Sequence, residues 1–118
     1  MEEAEEILGE IERLKESGKA VVAEGIKDLA ALKKLGLKNI YIISAPLFEV
    51  CEKIGENNDE TAILTDLDRE GKLLYSKIKE NLTRLGVKID DRLRERLFRT
   101  KLVHMQGLDT YIENLMSS

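Results

Sequence analysis

The chain has 118 residues, 42% hydrophobic and 36% charged, enough for one domain with a real core and too few for two. Its single cysteine, Cys51, excludes an intramolecular disulfide and a cysteine-built zinc site and suits a reducing, cytoplasmic compartment. Net charge is −4, yet seven glutamates fall within the first 16 residues against Arg13 and Lys15, and the longest uncharged run, Asn39 to Phe48, has ten residues where a membrane span needs ~20; no membrane span or signal peptide is expected.

Ile7, Leu8, Ile11 and Leu14 recur at helical spacing, so residues 1–18 read as an amphipathic helix that ends near Ser17 and Gly18. Its apolar stripe either packs on the domain formed by residues 19–118 or offers a face for a homodimer. Ala20 to Ala23 is a short apolar run suited to a strand buried on both faces. A helix follows, with Asp28 placed to cap it, Leu29, Leu32 and Leu35 as its stripe, and Gly36 at a left-handed stop. Asn39 to Ser44 forms a second strand, and Pro46 fits the first turn of a helix reaching about Gly55. After a polar connector, Thr61 to Thr65 makes a third buried strand ending at Asp66. Leu74, Ile78, Leu82 and Leu85 define a long helix stopped by Gly86. Val87 to Asp90 reads as a short fourth strand, Leu93 and Leu97 mark a basic helix, Leu102 to Met105 reads as a further strand, and Asp109 to Met116 closes the chain as a helix. Strands alternating with helices need crossover connections, so the expected fold is a single-domain, three-layer α/β fold with a mostly parallel central sheet.

In such a sheet, sites form at the carboxyl ends of strands. Glu24 ends the first strand, Asp66 ends the third, and Asp68 lies two residues on, so in extended backbone both aspartates face one spot. Glu70 is close by at the start of the long helix. Converging carboxylates raise one another's pKa values unless a cation neutralises them, and oxygen ligands in a partly hydrated site suit Mg²⁺ or Mn²⁺. Lys27, Arg69, Lys72 and the adjoining helix N-terminus supply positive potential for a phosphate. The competing structural role is plain: Asp68 also stands where a helix cap belongs.

Two stretches, Val21-Val22-Ala23-Glu24-Gly25-Ile26-Lys27-Asp28 and Leu64-Thr65-Asp66-Leu67-Asp68-Arg69-Glu70-Gly71, resemble the paired signature of the Toprim domain of bacterial-type primases, topoisomerases, certain nucleases and recombination mediators. The run Thr-Asp-x-Asp-Arg-Glu-Gly is especially similar to type IA topoisomerases. The resemblance spans Lys19 to Leu115 and implies a Rossmann-like Toprim fold, with Glu24 as general acid or base or additional metal ligand. It implies further that Asp66 and Asp68 hold Mg²⁺ with support from Glu70, while Asp28 and Gly25 order the site from behind. A topoisomerase would need a separate tyrosine domain and a full primase a zinc module, and this length leaves room for neither. What remains by this resemblance is a stand-alone Toprim protein, similar to the small primase-like proteins and to the Toprim ribonuclease. The implied function is magnesium-dependent phosphoryl transfer on nucleic acid, RNA or DNA, most naturally phosphodiester cleavage by a nuclease.

Two other readings remain. One is a non-catalytic Toprim scaffold that binds nucleic acid or a protein partner supplying specificity, using the acidic first helix and the net-basic stretch Arg84 to Lys101 as contact surfaces. The other is a response-regulator phosphoacceptor, disfavoured because Glu24 is followed by Gly25 rather than by a second acid. Tyr41, Tyr75 and Tyr111 are expected as core or half-buried residues, Cys51 as an inert buried thiol, and His104 as a packed or edge residue rather than a ligand. No glycine-rich nucleotide loop is present. The absence of tryptophan and the five aromatic residues leave little for base stacking.

Overall fold

A computed structural model describes residues 2–117. The elements run α1 (Glu2–Ser17), β1 (Ala20–Ala23), α2 (Ile26–Lys34), β2 (Ile40–Ile42), α3 (Leu47–Asn57), β3 (Glu60–Ile63), α4 (Arg69–Arg84), β4 (Lys88–Ile89), α5 (Arg92–Leu97), a 3₁₀ turn (Met105–Gly107) and α6 (Leu108–Ser117). The four strands are all parallel, in the order β2-β1-β3-β4. None of the described helices is long and apolar enough to cross a membrane.

Alternation along the central strands divides the core into two layers. Val21 and Ala23 of β1 and Ala62 of β3 face α1, α2, α5 and α6, joining Ile7, Ile11, Leu14, Leu32 and Leu97. Ala20, Val22 and Ile63 face α3 and α4 and pack on Val50, Ile54, Ile78 and Leu82, with Cys51 buried among them. Every residue of β1 is buried, as a strand covered by helices on both faces must be. Gly36 and Gly86 adopt φ of 93° and 82° and stop α2 and α4 at the positions read from the sequence.

Three local expectations change. Asp28 does not cap α2 as its first residue; Gly25 holds that position, and Asp28, one turn in, accepts hydrogen bonds from the Gly25 and Glu24 amides. Pro46 sits just before α3 rather than inside its first turn. The segment from Leu102 to Met105 is not a strand, because its backbone groups are taken elsewhere. The Val103 carbonyl accepts from the Leu67 amide at 2.7 Å, and the Met105 amide donates to Asp66 Oδ1 at 2.8 Å. The segment therefore crosses the carboxyl end of β3 instead of extending the sheet.

The short β4 leaves the far edge of β3 without a neighbour. Arg94 fills that role: its guanidinium donates to the Thr65 carbonyl at 2.6 Å and to the Asp66 carbonyl at 3.2 Å. It is buried and stacks against Tyr75 and Phe98, 4.6 and 5.2 Å from the ring centroids. The loop carrying the two aspartates thus begins from carbonyls that a buried cation holds in place.

Candidate metal centre

β1 and β3 are adjacent, so their carboxyl ends bring Glu24 and Asp66 together across the sheet. Glu24 Oε2 accepts the Asp66 amide at 2.7 Å, tying the two loops to one another. Leu67 is buried between the aspartates, and the backbone then turns sharply into α4. Asp68 Oδ1 accepts the Gly71 amide at 2.8 Å, so the capping role foreseen for Asp68 is real. Thr65, fully buried, donates its hydroxyl to the Gly71 carbonyl at 2.7 Å and closes the turn from the inside.

Asp66 is the centre of the arrangement. Oδ1 accepts from Met105 N, and Oδ2 lies 3.1 Å from His104 Nδ1. Ligand atoms of Asp66, Asp68 and His104 fall within 4.8 Å of one another, the only such trio of metal-type side chains among the described residues. Asp68 Oδ2 accepts no hydrogen bond among the described residues, and carboxylate oxygens have further lone pairs, so the trio has ligand capacity to spare. Two carboxylates with one imidazole suit Mg²⁺ or, with the nitrogen included, Mn²⁺.

The electrostatics agree with a site short of positive charge. Burial pushes the Glu24 carboxyl up, the Asp66 amide pulls it back, and the charges of Asp66, Asp28 and Asp68 push it up further. Asp28 is raised by burial above all, against the Gly25 amide, with Asp66 adding to the rise. The Asp66 bond raises the His104 imidazole, which favours its charged form in the absence of metal.

The structure thus gathers Glu24, Gly25, Asp28, Asp66 and Asp68 around one spot. Glu70 is exposed in the first turn of α4 and lies outside the trio of ligand atoms. Lys27, Arg69 and Lys72 are exposed at the starts of α2 and α4; the Lys72 ammonium lies 5.3 Å from the Phe98 ring centroid. His104, expected as a packed or edge residue, is exposed and lies 3.1 Å from Asp66 Oδ2. Its apolar neighbours misled: only Met105 of that run is buried, while Val103 and His104 point outward. That it is the chain's only histidine was the one signal available.

The expected basic surface from Arg84 to Lys101 is largely neutralised within the fold. Arg84 pairs with Glu80, Arg92 with Glu10 and Arg96 with Glu6, while Arg94 is buried. The acidic helix α1 lies against α5 and supplies two of those partners.

No protein-family model matches the chain. A UPF0292 protein of Methanosarcina acetivorans is 30% identical over 122 residues, covering 99% of this chain and 85% of the relative. A UPF0292 protein of Pyrococcus horikoshii is 37% identical over 101 residues, covering 84% of this chain and 76% of the relative. The chain belongs to the UPF0292 family. A solved structure of a protein from Aquifex aeolicus superposes on this UPF0292 member with a TM-score of 0.78 at 25% identity, covering 87% of this chain and 95% of the other. The α/β architecture of this UPF0292 protein is therefore also found in a solved structure.

Proposed function

We propose that this UPF0292 protein is a cytoplasmic, Toprim-type enzyme that uses Mg²⁺ or Mn²⁺ to cleave phosphodiester bonds in nucleic acid. The observation that carries the reading is the convergence of Asp66, Asp68 and His104 ligand atoms within 4.8 Å, directly beside Glu24. The two motif halves lie 42 residues apart in the chain at Glu24 and Asp66, yet a single hydrogen bond joins them.

Asp66 and Asp68 are the residues to hold the cation, with His104 as a third donor. A cation held by these residues would polarise the phosphoryl oxygen and stabilise charge on the attacking and leaving oxygens. Glu24, which accepts the Asp66 amide beside the trio, is the residue placed to carry the proton. Lys27, Arg69 and Lys72 stand at the same edge to orient the phosphate. Arg94 and the Gly71 turn fix the backbone from which both aspartates project.

The test is cleavage of end-labelled single-stranded and duplex RNA and DNA with Mg²⁺ or Mn²⁺, against Asp66→Asn and Asp68→Asn proteins prepared in parallel. Removing a metal carboxylate should lower the rate at least ~100-fold, and EDTA should abolish it. Cleavage that persists equally in both variants, or silence across the whole panel, overturns the enzyme reading.

A further inference from the structure

A groove of about 810 Å³ lies between α2 and the segment from Lys101 into α6, immediately beside Asp66. Its lining includes Lys27, Lys101, His104, Thr110 and Asn114 and contains no carboxylate. That composition is unexpected in a chain with 23 acidic residues against 19 lysines and arginines. Lys27 and Lys101 form no ion pair among the described residues, in contrast to Arg84, Arg92 and Arg96. His104 belongs both to this groove and to the metal trio, so the groove adjoins the metal centre.

We infer that this groove carries an unpaired strand of nucleic acid, with its phosphates on Lys27 and Lys101 and its sugars and bases against Leu102, Val103 and Tyr111. The inference deepens the nuclease reading above by naming the strand form and its path. The charged side chains that line the groove are lysines, which attract a polyanion, while Glu3 and Asp66 touch it only through Tyr111 and His104. The apolar side chains between them give ribose and base a surface that a phosphate alone would not use, and Asn114 and Gln106 offer both donors and acceptors to base edges. Tyr111 presents its ring from a fixed position, because Glu3 holds its hydroxyl at 2.7 Å. Side chains that contact bases need those bases unpaired, so a single strand can use these contacts, whereas a duplex, with its bases paired inside, offers the lysines only its backbone.

The test is fluorescence anisotropy of a labelled 12-nucleotide single strand, as RNA and as DNA, and of its duplex form, with the full-length protein in Ca²⁺. Lys27→Glu and Lys101→Glu are compared with Lys77→Glu, a charge reversal on the exposed face of α4 outside the groove. Circular dichroism checks that all three are folded. Each groove reversal should weaken single-strand binding ~10-fold or more and flatten its salt dependence, while Lys77→Glu changes it less than ~2-fold. Equal losses in all three variants, tighter binding of duplex than of single strand, or no single-strand binding at all overturns the groove assignment. Cleavage run in parallel separates the two readings. Metal-dependent cleavage that groove reversals leave unchanged removes the groove and spares the nuclease, and groove-dependent binding without cleavage does the reverse.

Discussion

At Gly71 the constraint is steric rather than conformational. A Cβ there would run into the backbone carbonyl of Asp66, because the start of α4 lies directly on the end of β3. Gly71→Ala must therefore push the turn off Asp66, and overpacking of this kind typically costs about 1–3 kcal/mol. A lowered denaturation midpoint together with weaker Mn²⁺ binding, measured by calorimetry, is the expected result; an alanine protein unchanged in both would show that the turn yields freely. The sequence marked Gly71 as part of a motif but could not give this reason, since the contact is between backbones that meet only after the strand and helix have docked. His104 was harder still to read. A histidine between Val103 and Met105 resembles core until the Met105 amide is seen to be bound to Asp66, which turns the neighbouring side chain toward the carboxylates.

Among the elements, the central strands were the most legible. β1 occupies the predicted residues, because a fully buried strand needs a short, uniformly apolar run and little else fits one. The strand expected at Leu102 to Met105 failed because hydrophobic pattern reports burial and is silent about which backbone groups remain free to pair. The same limit hid the means by which α1 is fastened. Asp90, after β4, accepts two hydrogen bonds from Arg13 of α1, at 2.7 and 2.9 Å, and one from Lys19 ahead of β1, at 3.0 Å. Burial alone would raise this carboxyl, but its partners outweigh burial and hold it at about 2, against an ordinary 3.8. A depressed folded-state pKa contributes stability that is complete above about pH 4 and is lost as pH falls toward 2, here about 2 kcal/mol. Asp90→Asn should lose that amount or more at neutral pH and flatten the acid limb of the stability curve between pH 4 and 2. An acid limb identical to the wild type in urea titrations would remove Asp90 as the fastening point.

For the molecule as a whole, charge is sorted by the packing of α1 on α5. The seven glutamates near the start of the chain and the cationic stretch near its end were each legible, but their mutual neutralisation was not, since nearly the whole fold separates Glu6 from Arg96 in sequence. Gln at both Glu6 and Glu10 keeps the apolar stripe of α1 and frees Arg92 and Arg96. That protein should leave a heparin column at higher salt than one carrying Glu5→Gln and Glu16→Gln, which changes net charge equally; elution at the same salt would show that the α1 to α5 pairs are already open in solution. The Arg92 and Arg96 guanidinium groups thus face carboxylates of their own chain. The fold itself keeps those carboxylates against Arg92 and Arg96, so a free polyanion has to displace them to reach either side chain. The acidic helix is in this sense a built-in competitor for Arg92 and Arg96, and it has no such hold on Lys27 and Lys101 in the groove.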